Sequence, residues 1–270
     1  MDVKDLLRLL KLYGIRPRKK LSQVFLVNRR VLQSIARLAK RVAEPISRRV
    51  YEIGCGPATL TVFLLREGLD VVGIEIDNRF VPLLKMVSRE FPLFNPVISD
   101  ARDAIRTSRA EVVVGNLPYH ISSELLLSIA RSGAKAAVVT LQREVAERVV
   151  ARPGTDSFGR LSVIMQLLFR ARIELYIPPK YFVPRPEVSS ATLVLERIRD
   201  FDEHAACVEK VTRCLFSYRN KLASKALRNC FPSTYRILSG EERWRSLRVR
   251  DLDPLLFLEI ARICAENGEC

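Results

Sequence analysis

Four consecutive residues, Asn116-Leu117-Pro118-Tyr119, follow the apolar run Val112–Val114, which is typical of a buried strand. At the end of such a strand, the Asn116 side chain and the Leu117 carbonyl each offer a hydrogen-bond acceptor. Pro118 restricts the direction of that carbonyl, and Tyr119 offers a flat ring for stacking. Two acceptors beside a stacking ring suit the exocyclic amino group of a nucleobase. The alternative is a purely structural turn between strand and helix, because Asn and Pro are common turn residues.

A glycine turn lies upstream, within residues 50–60, in a segment that predicts a strand, a turn and then a helix. Gly54 and Gly56 allow a tight turn and a close approach of the backbone to a ligand. Thr59 stands where the dinucleotide-binding pattern requires a third glycine, which argues against an NAD-dependent dehydrogenase.

Two carboxylates follow the next two predicted strands. Glu75 lies near the end of the run 71–76, where a carboxylate can accept hydrogen bonds from two ribose hydroxyls. Asp100 follows the run 96–99 and can accept from the amino group of an adenine. The structural alternatives are a solvated carboxylate at a strand end for Glu75 and a helix N-cap for Asp100.

These motifs together resemble the class I S-adenosylmethionine-dependent methyltransferases, and within that class the adenine N6-dimethyltransferases of ribosomal RNA. Three more segments are similar to motifs of that family, namely Lys20–Leu26, Phe182–Val188 and Tyr218–Lys221. The likeness extends from about residue 16 to about residue 250 and is strongest to the small-subunit enzymes named for kasugamycin resistance. Two positions depart from the family: Val24 replaces a frequent Asn, so that it could contribute only backbone or packing, and Cys55 replaces a frequent Pro.

The resemblance implies a role for each matching residue. Phe182 would flank the face of the target adenine opposite Tyr119, although its structural alternative is a core aromatic residue. The residues implied in catalysis are Asn116, Leu117, Pro118, Tyr119 and Phe182. Those implied in binding S-adenosylmethionine are Gln23, Val24, Leu26, Gly54, Gly56, Glu75, Ile76, Asp100, Ala101 and Asn116. Basic residues expected to contact RNA phosphates are Arg18, Lys19 and Lys20 in a loop and Arg219, Lys221, Lys225 and Arg228 in a basic helix.

Strand and helix patterns alternate through the first two thirds of the chain and predict an α/β fold with helices on both faces of the sheet. The resemblance implies a seven-stranded Rossmann-like sheet followed by a small helical domain. We predict a catalytic domain over residues 1–198, with an N-terminal basic segment at 1–28, and an RNA-substrate domain over 199–270. Helices are expected at 2–12 and 29–42, a basic loop at 16–27 and a mobile loop at 152–157. Strands are expected near 49–54, 70–76, 95–99, 111–115, 135–140, 172–177 and 190–196.

Composition favours a polyanionic partner, because 45 basic and 30 acidic residues give a net charge of +15. No apolar run is long enough to span a bilayer and no signal peptide is visible, so we expect a cytoplasmic protein. The six cysteines include no CxxC pair, and we expect most of them to be small core residues and not disulfides. We also expect no metal site, because the chain has only two histidines, and a monomer.

The expected reaction is direct methyl transfer to the N6 amino group of an adenine that has left its stack. Positioning and charge stabilisation would supply most of the catalysis, without a metal or a covalent intermediate. The leading hypothesis is dimethylation of two adjacent adenosines near the 3′ end of small-subunit ribosomal RNA, on a small-subunit precursor. The alternatives are a large-subunit rRNA adenine methyltransferase and a catalytically inactive RNA-binding ribosome assembly factor.

Overall fold

A computed structural model describes residues 3–270, except for the side chains of Val3 and Lys19. Met1 and Asp2, the start of the predicted first helix and basic segment, lie outside the described residues. The α-helices are α1 Val3–Leu12, α2 Arg29–Ala43, α3 Thr59–Arg66, α4 Val81–Glu90, α5 Ala101–Thr107, α6 Ser122–Arg131, α7 Arg143–Val149, α8 Arg160–Leu168, α9 Glu203–Leu215, α10 Ala223–Cys230, α11 Pro232–Leu238, α12 Glu242–Ser246 and α13 Pro254–Glu266. Among the described residues, no helix combines the length and the apolar character needed to span a membrane.

Seven strands form one mixed sheet with helices on both faces, as predicted. The strands of the chain are β1 Phe25–Leu26, β2 Arg49–Ile53, β3 Asp70–Glu75, β4 Phe94–Ile98, β5 Val112–Asn116, β6 Ala136–Gln142, β7 Phe169–Ile177, β8 Phe182–Val183 and β9 Ser190–Arg197. The sheet order is β4-β3-β2-β5-β6-β9-β7, and β1 pairs separately with β8. Strands β2 to β6 are mutually parallel, whereas β9 is antiparallel to β6.

The order of the parallel strands explains where a site can form. The chain runs outward from β2 to β4 and then returns through β5 on the other side of β2. Ligands of open α/β sheets bind at such a switch point, outside the carboxyl ends of the strands. Gly115 keeps β2 and β5 close there, because a Cβ atom at this position would lie 2.5 Å from the Ile53 carbonyl oxygen.

The central strands have the composition that their burial requires. Val112, Val113 and Val114 are all fully buried, as expected for a strand covered by helices on both faces. On α2, the apolar side chains recur at helical spacing and pack against the sheet, while its basic residues remain outside. The buried central strands and the helices packed on them therefore support the residues at the carboxyl edge of the sheet.

The chain divides into two compact units that differ in one segment from the predicted domains. The first comprises residues 1–146 and 172–197, and the second comprises residues 147–171 and 198–270. Residues 147–171, which lie inside the predicted catalytic domain, group with the C-terminal helices. In this second unit α8 packs against α9 and α13, and the loop 152–157 bonds to Arg219 and to the Arg250 carbonyl.

Four of the six cysteines form disulfides, which corrects the expectation that most are unpaired core residues. Cys207 pairs with Cys270, and Cys214 pairs with Cys230. Their Cα atoms lie 5.6 Å and 6.0 Å apart, within the range that a disulfide spans. The packing of α13 and of α10 against α9 brings these pairs together. The remaining two, Cys55 and Cys264, are buried free thiols.

Candidate active site

A cavity of about 220 Å³ opens at the carboxyl ends of β2, β3 and β5. It is lined by residues from each predicted cofactor motif, including Gln23, Val24, Leu26, Gly54, Gly56, Glu75, Ile76, Asp100, Ala101 and Asn116. The fold therefore brings together all ten residues that the sequence assigned to the cofactor. Leu117 and Pro118 line the same cavity.

The glycine turn has the geometry of a ligand cradle. Gly54 and Gly56 adopt φ values of 68° and 47°, in the left-handed region that disfavours other side chains. A Cβ atom at Gly56 would lie 3.2 Å from the Phe25 ring, so a larger residue would crowd the cavity wall. The turn leads into α3 through Ala58, which also has a positive φ of 59°.

Glu75 is held in place by the backbone around it. One carboxylate oxygen accepts a hydrogen bond from Gly56 N at 2.8 Å, and the other accepts from Asp77 N at 2.8 Å. A carboxylate has about four acceptor positions, so capacity remains on each oxygen for a further donor such as a hydroxyl. Burial raises the pKa of Glu75. Two hydroxyl donors would oppose that shift because they would stabilise the charged form.

The cavity wall next to Glu75 combines an apolar and an acidic surface. Ile76 is apolar, half exposed and lines the cavity. Asp100 caps α5 by accepting from Arg102 N, so the predicted N-cap is present, and its carboxylate also binds the Arg102 guanidinium. This guanidinium lowers the pKa of Asp100, which therefore stays ionised as an acceptor.

Asn116 presents a free acceptor in the cavity wall. Its Nδ2 donates to the Val24 carbonyl oxygen at 2.8 Å. Because a carbonyl can only accept, this contact determines which way the amide is turned and directs Oδ1 elsewhere. Oδ1 is buried and has no hydrogen-bond partner among the residues that the structure describes. Val24 replaces an Asn that is frequent in the family, but its backbone carbonyl can orient the Asn116 amide whatever its side chain is.

Tyr119 borders a second cavity of about 480 Å³, which shares Ser22, Gln23, Val24 and His120 with the first. The Tyr119 hydroxyl is 2.6 Å from Ser190 Oγ on the buried strand β9. This contact restrains the ring at the junction between the cavities. The segment Pro184–Val188 forms the far side of the second cavity.

Phe182 is not where the resemblance placed it. The side chain is 2% exposed, lies within the hydrophobic core and borders neither cavity. Its strand β8 pairs with β1, where Phe182 is opposite Leu26. In this structure Phe182 is therefore a core aromatic residue that supports β1, and it does not present a stacking face.

The predicted RNA-contacting residues fall into two groups, one in each unit. Arg18 and Lys20 are exposed, whereas the side chain of Lys19 lies outside the described part of the structure. In the second unit, Lys221, Lys225 and Arg228 are exposed, and the last two lie on α10. Arg219 and Lys221 precede this helix, so the predicted basic helix is shorter than expected.

Arg219 also has a structural role that the sequence did not reveal. Its guanidinium donates to the carbonyl oxygens of Thr155 and Asp156, at 2.9 Å and 2.7 Å. It thereby binds the backbone of the loop 152–157, for which the sequence predicts mobility.

Sequence reasoning missed three charged residues near the cavity. Glu52 and Arg102 line the cavity. Asp77 lies two residues after Glu75, and its backbone N–H donates to the Glu75 carboxylate. Burial raises the pKa of Glu52 to about 8. The only signal in the sequence was position, since Glu52 lies two residues before Gly54 and Asp77 two residues after Glu75.

Comparison with known proteins shows the family of the chain. Residues 14–265 match the family described as ribosomal RNA adenine dimethylase. The chain is 36% identical to the probable ribosomal RNA small subunit methyltransferase A of Methanopyrus kandleri, covering 80% of this chain and 77% of that protein. It is 32% identical to the ribosomal RNA small subunit methyltransferase A of Thermotoga maritima, over 90% and 85% of the two chains.

Solved structures show the same architecture. A dimethyladenosine transferase from Plasmodium falciparum superposes with a TM-score of 0.74 at 25% identity, covering 90% of this chain and 98% of that one. The 23S rRNA methyltransferase ErmE shares the fold, with a TM-score of 0.66 at 22% identity over 88% and 98% of the chains. The fold and site thus define a Rossmann-like methyltransferase. The chain belongs to the ribosomal RNA adenine dimethylase family.

Proposed function

We propose that this enzyme transfers methyl groups from S-adenosylmethionine to the N6 amino groups of adenines in small-subunit ribosomal RNA. The substrate would be a small-subunit precursor, with two adjacent adenosines near the 3′ end of its RNA as targets. We further propose that it acts in the cytoplasm and as a monomer.

The observation that carries this proposal is the unpartnered Oδ1 of Asn116. A buried acceptor without a partner costs free energy, on the order of 1–3 kcal/mol. That cost is recovered when a donor such as an amino group enters the site. The neighbouring Leu117 carbonyl is the proposed second acceptor, and the Tyr119 ring is the proposed stacking face for the base.

The residues around the first cavity fit the proposed cofactor. Glu75 would accept from the ribose hydroxyls, because a carboxylate has about four acceptor positions and its bonds to Gly56 N and Asp77 N leave further ones open. Ile76 would pack against the adenine ring, and Asp100 with Ala101 would meet its polar edge. Gly54 and Gly56 would allow the backbone to approach the ligand closely. Gln23, Val24 and Leu26 would cover the cofactor from the N-terminal segment.

The chemistry assigned to the protein is positioning and charge stabilisation. When bound, the cofactor supplies a methyl group made electrophilic by its sulfonium. The adenine amino nitrogen is a poor nucleophile, because its lone pair is delocalised into the ring. Hydrogen bonds from its N–H groups to Asn116 Oδ1 and to the Leu117 carbonyl would favour a pyramidal, electron-rich nitrogen. These acceptors would also stabilise the positive charge that develops on it.

The exposed basic residues are proposed to bind RNA phosphates in both units. Arg18, Lys19 and Lys20 belong to the first unit, and Lys221, Lys225 and Arg228 to the second. Nη2 of Arg219 already donates to the loop 152–157, so we propose that only the other N–H groups of its guanidinium contact RNA phosphates. Because phosphate binding releases counterions, the affinity for RNA should fall steeply with salt.

One experiment separates this function from its alternatives. The protein is incubated with labelled S-adenosylmethionine and undermethylated small or large ribosomal subunits, and each methylated base is mapped. We expect N6-dimethyladenosine on small subunits alone. Label on large subunits alone would indicate the large-subunit activity. Binding to either subunit without label would indicate an inactive assembly factor.

A further inference from the structure

We propose that Asp77 is a positioning residue for methyl transfer, because its carboxylate fixes the segment whose carbonyl orients the Asn116 amide. This inference rests on the proposed function for the role of Asn116. The arrangement itself consists of side-chain contacts within the first unit.

The Asp77 side chain is fully buried, and Asp77 itself does not line the first cavity, although Glu75, to which its backbone N–H donates, does. It accepts from Gln23 Nε2 at 2.9 Å and from the Arg79 guanidinium at 2.9 Å and 3.1 Å. The Arg79 guanidinium lowers the pKa of Asp77 to about 2, so the carboxylate is charged at any working pH. A buried charge with these partners has one well-defined orientation.

Both partners of Asp77 hold the backbone of the N-terminal segment. Gln23 Oε1 accepts from Arg18 N at 2.8 Å, and Arg79 Nη1 donates to the Arg16 carbonyl at 3.0 Å. Asp77, Gln23 and Arg79 therefore form a clasp over residues 16–23. We refer to these three side chains as the Asp77 clasp.

The Asp77 clasp ends one residue before the carbonyl that matters for catalysis. Val24 follows Gln23, and its carbonyl oxygen accepts from Asn116 Nδ2. On the other side of Val24, strand β1 is anchored by its pairing with β8. The Val24 carbonyl is thus held between two anchors, of which the Asp77 clasp is one.

Asp77 also touches the cofactor wall. Its backbone N–H donates to Glu75 Oε1, so one residue links the carboxylate proposed for the ribose with the segment that orients Asn116. Removal of the carboxylate leaves this backbone bond possible. A side-chain substitution therefore keeps the backbone support of Glu75 but releases Gln23, so cofactor affinity should fall as well, by a smaller factor than the rate of methyl transfer.

The test compares three variants under single turnover, with saturating S-adenosylmethionine and undermethylated small subunits. We expect Asp77→Ala to lower the transfer rate by about 10- to 100-fold, as displacements of about 1 Å in an active site do. Asp77→Asn keeps one acceptor for Gln23 and should restore part of the rate. The matched control is Asp70→Ala at the start of β3, where the carboxylate pairs with Arg49 and lines neither cavity. Its rate should equal that of the parent.

A double-mutant cycle decides whether Asp77 acts through Asn116. If it does, Asp77→Ala should have little further effect in the Asn116→Ala background. Multiplying effects would overturn the proposal, because Asp77 would then act independently of the amide. A larger change in the calorimetric Kd for S-adenosylmethionine than in the transfer rate would also overturn it.

Amide hydrogen exchange tests the Asp77 clasp without reference to activity. In Asp77→Ala, residues 18–25 should lose protection while β2 keeps it. Unchanged protection of residues 18–25 would refute the clasp. If the parent methylated no ribosomal subunit while this loss of protection was observed, the proposed function would fail and the clasp would stand.

Discussion

Asn116→Ala is the most direct test of the proposed chemistry. The substitution removes Oδ1, the buried acceptor without a partner, and the Nδ2 donor that binds the Val24 carbonyl. It leaves the backbone of the Leu117–Tyr119 segment and the Glu75 carboxylate unchanged. Binding of S-adenosylmethionine should therefore be affected less than the methyl-transfer step.

The magnitude follows from the charge that develops on the amino nitrogen. A hydrogen bond to a charged group contributes about 1.5–3 kcal/mol. If the contact with Oδ1 reaches this strength only in the transition state, its loss lowers the rate by about 10- to 150-fold. We expect a loss near the upper end of this range, because Oδ1 is buried and no donor among the described residues competes for it.

Single-turnover transfer to undermethylated small subunits, with saturating cofactor, isolates the chemical step. Calorimetric titration of each variant with S-adenosylmethionine reports binding separately. Asn95→Ala, an exposed asparagine on the edge strand β4, is the matched control and should transfer at the parental rate. If Asn116→Ala also kept the parental rate, residues 116–119 would be a structural turn and the proposed site would be wrong.

Four further predictions concern cofactor binding, the target base and stability. Glu75→Ala should weaken S-adenosylmethionine binding by roughly 1–3 kcal/mol in calorimetry, and an unchanged affinity of the folded variant would exclude its ribose role. Tyr119→Ala should weaken RNA binding by roughly 1–3 kcal/mol, because the stacking face for the extruded adenine is lost. Tyr119→Phe keeps the ring and should mainly lower the free energy of unfolding, because the hydrogen bond between its hydroxyl and the buried Ser190 disappears. Glu52 binds its proton more tightly in the folded state, where its pKa is about 8, so the free energy of unfolding should fall as the pH rises from about 4.5 to 8. The loss should be at most about 5 kcal/mol. Glu52→Gln should remove it, as measured by urea unfolding at pH 5 and pH 9. Cys214→Ser opens the 16-residue loop to Cys230 and should cost about 2–4 kcal/mol of stability, a difference that a reductant should abolish if the disulfide is its cause.

Much of the site could be predicted from the sequence because its motifs are local. The glycine turn, Glu75 and Asn116 each lie at or near the end of a strand that an apolar run reveals. Parallel strands bring their carboxyl ends to one edge of a sheet, so the meeting of these motifs follows from topology. The N-cap role of Asp100 was foreseeable for the same reason, since it involves only the next two residues.

Only the tertiary structure decided which groups face the cavity and which support it. The bond between Asn116 and Val24 spans 92 positions, and that between Gln23 and Asp77 spans 54. No periodicity encodes such pairs, because they depend on how separate elements pack. Phe182 illustrates the same limit, since its motif predicted a stacking ring and its packing buries it in the core.

The cysteines and the segment 147–171 have the same explanation. Spacing along the chain does not reveal that Cys207 and Cys270 approach within disulfide range, because helix packing brings them together. Nor does the sequence show that residues 147–171 belong to the same compact unit as the C-terminal helices. The sequence alone determined the strands, the turn and the chemical groups at their ends. Long-range packing decided their orientation, because side-chain direction and burial depend on neighbours that only the folded chain supplies.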